Sequence, residues 1–111
     1  MKQKIYLLAP DKMKKLAHSK SFCTASDQIT VEGRKVGYMT RVSRDNSMDS
    51  GWRFHAGDES GNYVDDHSNY GTFSLNDIAN YDPDVVPLLS SPTGSVFRRV
   101  DGKGDLVPVD E

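Results

Sequence analysis

The chain has one cysteine, Cys23, so no internal disulfide can form, and a lone thiol fits a reducing compartment. Long apolar runs are missing as well. The first twenty residues hold only five consecutive apolar positions, Ile5 to Ala9, before Pro10 and Asp11. A secretory core needs about 7–15 such residues and a membrane span about 20. The expectation is a soluble, cytoplasmic protein with no membrane partner. Hydrophobic residues make up only 36% of the 111 positions, yet ten are aromatic, enough burial per residue to argue against disorder. A chain of this length closes a core without metals or cross-links.

Catalytic signatures are equally scarce. There is no G-x-S-x-G elbow and no phosphate-cradling glycine loop. His18, His55 and His67 have no zinc spacing, and Cys23 has no companion ligand. Asp58, Glu59, Asn62, Asp65 and Asp66 crowd oxygen donors together, but their spacing is not that of a calcium loop. Adjacent carboxylates such as Asp65 and Asp66 would face opposite ways on a strand, a poor start for paired acid–base work. The expectation is a non-enzymatic protein with no cofactor and no metal.

What the chain does have is charge segregation. Residues 1–20 carry six lysines against Asp11, whereas residues 45–84 carry nine acids against Arg53 alone, within an overall net charge of −2. An acidic middle of that density repels nucleic acid and steers a basic partner toward itself.

Periodicity supplies the elements. Residues 4–9 suggest a short strand or apolar segment, and residues 10–20 a short amphipathic helix with lysines on its outer side. Strands are expected at 21–26, at 36–42 and at 52–56, where Trp52 and Phe54 share one face and Arg53 and His55 the other. Trp52, Phe54, Tyr38 and Cys23 are assigned to the core, and Arg53 to a neighbouring acid. Residues 63–71 look irregular. Ser74 caps a brief helix, and Asp82-Pro83 restarts the chain as cap and first-turn proline. Strands at 95–100 and 106–109, joined by a tight loop at 101–105, close the chain, with Pro108 on an edge. The sum is an α+β fold: a curved, mostly antiparallel sheet of about five or six short strands with two or three short helices packed on one face. The domain division is an N-terminal extension over 1–20 and a single domain over 21–111.

Three segments then take the reading further: G-R-K-V-G-Y-M-T-R, D-S-G-W-R-F-H-A-G-D-E and N-D-I-A-N-Y-D-P-D-V-V-P-L-L. Together, in this order, they resemble the bacterial immunity-protein domain of class thirty-three, formerly a domain of unknown function. The resemblance spans roughly residues 20–100 and implies a small cytoplasmic protein that neutralises a toxin of contact-dependent or polymorphic toxin systems. It implies no catalytic residues. Combined with the charge pattern, it makes Asp58, Glu59, Asp65, Asp66, Asp82 and Asp84 the expected partner-binding rim, facing a basic toxin domain. The protein is expected to be a monomer or weak homodimer. The rival expectations are a small hydrolase or metal-dependent enzyme whose acidic loops converge on a pocket, or a stand-alone domain of other function.

Overall fold

The computed structural model describes residues 4–19, 21–100 and 104–109. Six strands form one open sheet: β1 (Phe22–Ser26), β2 (Tyr38–Arg41), β3 (Asp49–His55), β4 (Tyr70–Ser74), β5 (Val96–Arg99) and β6 (Leu106–Pro108). Their order is β4-β1-β3-β2-β5-β6, and every neighbouring pair is antiparallel except β1 with β3. Among the described residues, three short α-helices accompany the sheet: α1 (Asp27–Thr30), α2 (Gly61–Asp65) and α3 (Leu75–Tyr81). A 3-10 turn over Pro83–Leu88 extends α3 around the sheet.

Strand alternation sorts the side chains into two faces. Cys23 and Ala25 of β1, Met39 of β2, Trp52 and Phe54 of β3 and Phe97 of β5 point one way and are buried. Ile29 of α1, Leu75 and Ile78 of α3 and Val85 of the following turn cover them, completing a single core. Trp52 is at its centre, fully buried, within 6.1 Å of the Phe54 ring, and its indole N–H donates to the Leu89 carbonyl at 3.2 Å. The cross-strand pair Arg41–Trp52 adds a guanidinium 5.7 Å from the indole, held by the carbonyls of Ser50 and Ser91.

The other face is open. Register places Thr24, Arg53, Thr40 and Thr72 on it, together with His55 and Tyr70. Tyr38 belongs here too, a correction to its core assignment. It lies opposite His55 and Arg98, half-buried, with the Arg98 guanidinium 5.1 Å from its ring, while its neighbour Met39 fills the core. The glycine between Val36 and Tyr38 explains the misreading. Val36 precedes the strand and is buried, but Gly37 breaks the alternation that would carry its face on to Tyr38. A Cβ on Gly37 would overlap the Ala56 carbonyl, so only glycine lets these segments approach. α2 buries no residue and lies toward this open side, so the helices are not all on one face.

Two further readings are corrected. The helix expected over 10–20 reduces to a 3-10 turn at Pro10–Lys12, and residues 13–19 are extended or irregular. A run this short cannot repay helix nucleation unless an apolar face is buried, and other groups claim its backbone. Of the two alternatives for 4–9, a short strand or an apolar segment, the strand does not form. Conversely, part of the irregular stretch is strand β4, paired along all five residues with β1. Of the expected loop at 101–105, residues 101–103 lie outside the described residues, as do 110–111 of the C-terminus.

Candidate functional site

The open face is hollowed where β1, β3 and β4 lie side by side. Two adjoining depressions, about 230 and 460 Å³, share Thr24, Asp45, Arg53 and Thr72. The floor is polar because alternation brings threonines, Arg53 and His55 to this side. One wall is the loop before β3, where the Asn46 carboxamide accepts from the Met48 and Asp49 amides and turns Met48 outward, half-exposed. The opposite wall is α2 and the turn after it, contributing Val64 and His67. Phe22, Met48 and Val64 leave 40%, 50% and 40% of their surface in solvent, so exposed apolar groups surround a polar floor.

The floor is pre-ordered. Arg53 clamps Asp49 through two bonds, 2.9 and 2.8 Å, and Asp49 also accepts from the Asp45 and Gly51 amides. The Arg53 guanidinium, with these amides, holds the Asp49 carboxyl well below the usual carboxylate range despite its burial. It stays ionised and has no proton to give as a general acid. Arg53 in turn is neutralised, with Asp45 3.7 Å away and its own carboxylate 83% exposed. His55 Nδ1 lies 2.8 Å from the Tyr70 hydroxyl. Burial lowers the His55 pKa, opposed by Glu59, and burial pushes the Tyr70 phenol up to about 12. Beneath them the Cys23 thiol is pushed far up by burial and by Asp77, which removes it as a nucleophile. Among the described residues no three His, Cys, Asp or Glu side chains form a group able to hold a metal ion.

The six acids expected on one rim fall into different environments. Asp65 and Asp66 are exposed between the lining residues Val64 and His67, and Asp66 caps the turn by accepting from the Ser68 amide at 3.0 Å. Asp58 is exposed but paired with Arg34 at 2.6 and 3.0 Å, beside a second depression lined by Arg98 and Arg99. Glu59 is half-buried, and its carboxylate closes the turn after β3 by accepting from the Ala56 and Gly57 amides at 2.7 and 2.8 Å. Asp84 is half-exposed and bonded to Arg99. Asp82 is fully buried, so it is not part of any rim. It caps the 3-10 turn through the Asp84 amide, accepts from the Val36 amide at 2.9 Å and pairs with buried Arg99 at 2.8 Å. Sequence reasoning missed Asp45, Phe22, Thr24, Met48 and Thr72. The alternation in S-F-C-T-A-S placed Phe22 and Thr24 opposite Cys23, but nothing marked β4 as the strand beside them.

The segments that carry the family pattern are thus spent largely on architecture: Gly37 on a close crossing, Trp52 and Phe54 on the core, Glu59 on a turn, Asp82 on a buried ion pair. The result is a small α+β scaffold with a pre-ordered, open polar face and no assembled catalytic constellation among the described residues. The Immunity protein Imm33 domain matches residues 23–110, and the chain belongs to that family. No curated protein and no solved structure matches the chain. Among the described residues no helix is long and apolar enough to cross a membrane.

Proposed function

We propose that this protein is a non-enzymatic immunity protein that neutralises a cognate bacterial toxin by binding it in the cytoplasm, and that it docks a basic toxin domain over the open face of the sheet. The observation that carries the reading is the family match over residues 23–110. The choice of face is supported by the groove between the loop before β3 and α2, where exposed Phe22, Met48 and Val64 are suited to act as anchors. Its charge is supported by Asp45, Asp65 and Asp66, because Arg53 on the groove floor is already paired with Asp49. Asp58, Glu59 and Asp84 contribute field rather than free contacts, each being engaged within the fold. Complementary charge speeds encounter and enforces specificity, while the apolar anchors set how long the complex lasts.

The test is capture of the toxin from the native bacterium with this protein as bait, followed by stopped-flow association. Asp45→Lys/Asp65→Lys/Asp66→Lys should slow association about 10–100-fold at low salt and leave the fold unchanged. Equal association rates for the variant and the natural protein would remove the open face from the reading. Failure of the protein to protect cells from the captured toxin would remove the immunity role.

A further inference from the structure

Residues 4–19 lie outside the family match, yet they are fastened to it in an unusual way. On the outer side of α3, Asn76 and Asn80 stand one turn apart and direct their carboxamides at the backbone of the N-terminal segment. Asn76 Oδ1 accepts from the Leu16 amide at 2.6 Å and the Ala17 amide at 2.9 Å, while its Nδ2 donates to the Lys14 carbonyl at 2.9 Å. Asn80 Oδ1 accepts from the Lys14 amide at 2.8 Å, and its Nδ2 donates to the same residue's carbonyl at 2.8 Å. Lys14 therefore has both its N–H and its C=O satisfied by side chains, as a neighbouring strand would satisfy them. Asn80 Nδ2 also donates to the Asn76 carbonyl at 2.9 Å, which fixes the second carboxamide against the helix. Upstream, the Tyr81 hydroxyl accepts from the Leu8 amide at 3.1 Å.

These contacts read main chain. The side chains of Lys14 and Lys15 are exposed, and among the described residues neither makes an ion pair. Beside the contact, an open surface depression of about 320 Å³ lies between Leu16 and Ala17 on one side and Leu75, Val86 and Leu89 on the other.

We propose that the outer face of α3 is a peptide-binding site that recognises an extended polypeptide backbone through Asn76 and Asn80, and that residues 13–17 occupy it as a displaceable ligand of the same chain. The site takes any extended segment that offers an N–H and C=O at the Lys14 position and N–H groups two and three residues later. Proline at any of these three positions is disfavoured, because it removes a donor.

Hydrogen exchange on the full chain tests the first half. In Asn76→Ala/Asn80→Ala, the Lys14, Leu16 and Ala17 amides should exchange about 10–100-fold faster, with the Ala25 and Phe54 amides unchanged. Alanine favours helix more than asparagine, so α3 itself is not weakened by the change. If the core amides accelerate together with the strap, or the strap stays protected, the strap is part of the folding unit and the proposal fails. Lys14→Pro/Leu16→Pro in the full chain tests the second half by freeing the site. A labelled peptide of residues 10–19 should bind this variant, and should not bind it when Asn76 and Asn80 are also alanine. Replacing the three lysines of the peptide by alanine should change its affinity by less than about threefold, since neutral backbone bonds carry the recognition. No binding to the proline variant, or loss of binding with the lysines, would overturn it.

Discussion

Asp82→Ala separates a scaffold acid from a surface acid more sharply than any other change. The carboxylate is fully buried and holds three partners: the Asp84 amide at 3.1 Å, the Val36 amide at 2.9 Å and the Arg99 guanidinium at 2.8 Å. Arg99 also donates through Nε to the Val36 carbonyl at 2.9 Å, so the N–H and the C=O of Val36 are both held by this ion pair. Removing the carboxylate leaves a buried arginine with, among the described residues, only half-exposed Asp84 as a counter-charge, and takes away the acceptor of the Val36 N–H. Breaking a buried pair in this way costs about 3–5 kcal/mol, a large share of the ~5–15 kcal/mol that a domain of this kind has in total. With a mid-range urea slope of about 2 kcal/mol per molar, the unfolding midpoint should fall by about 1.5–2.5 M. Trp52, the only tryptophan and fully buried, reports the transition by fluorescence. Asp65→Ala, on the exposed wall of the groove, is the control and should stay within about 0.5 kcal/mol. Asp82→Ala/Arg99→Leu should recover part of the loss, because the stranded charge leaves as well. A loss below about 1 kcal/mol for Asp82→Ala would refute the reasoning that this acid is spent on the fold.

Two other expectations follow from the core and the open face. Trp52→Ala should cost about 3–5 kcal/mol in the same urea assay, and a near-neutral result would contradict the central position of the indole. His55 has a lowered pKa in the folded state because it is buried against Tyr70, so the unfolded chain takes up the proton first. Stability should therefore decline as pH falls below about 6.5, and His55→Gln should flatten the dependence of the thermal midpoint between about pH 7.5 and 5.5. An unchanged profile in the variant would exclude His55 as its source.

Local rules worked where the backbone has few choices. Ser74 accepts from the Asp77 amide and Asp82 from the Asp84 amide, each heading its helical segment as the cap chemistry requires. Strand alternation placed Arg53 and His55 opposite Trp52 and Phe54 because β3 is regular over that stretch. It failed at residues 36–42, where Gly37 interrupts the register ahead of Tyr38. β4 was hidden because Tyr70-Gly-Thr-Phe-Ser is bounded by short polar turns and takes its strand geometry from pairing with β1, a contact between residues about fifty apart in sequence. The N-terminal lysines suggested a helix because Met13, Leu16 and Ala17 have helical spacing. Those positions are instead held extended by two asparagines more than fifty residues away. The burial of Asp82 was illegible for a similar reason: its counter-charge, Arg99, comes from β5, outside the helical junction that Asp82 caps. Family resemblance named the motif segments but could not say that most of them serve the scaffold.

The strand order has a consequence for how the molecule is made. β2 and β3 form a hairpin across a short loop, and β5 and β6 lie close in sequence, so each of these pairs has low closure entropy. β1 has no such neighbour. It sits between β3 and β4, both of which follow it in the chain, and its parallel pairing with β3 cannot be made by a hairpin at all. On the ribosome, the first strand of the sheet therefore waits without partners until β3 and then β4 have emerged, with Cys23 and Ala25 uncovered in the meantime. Assembly from the hairpin outward, with β1 inserted late, is the order this topology imposes, and it makes that insertion the slow, aggregation-exposed step of biogenesis.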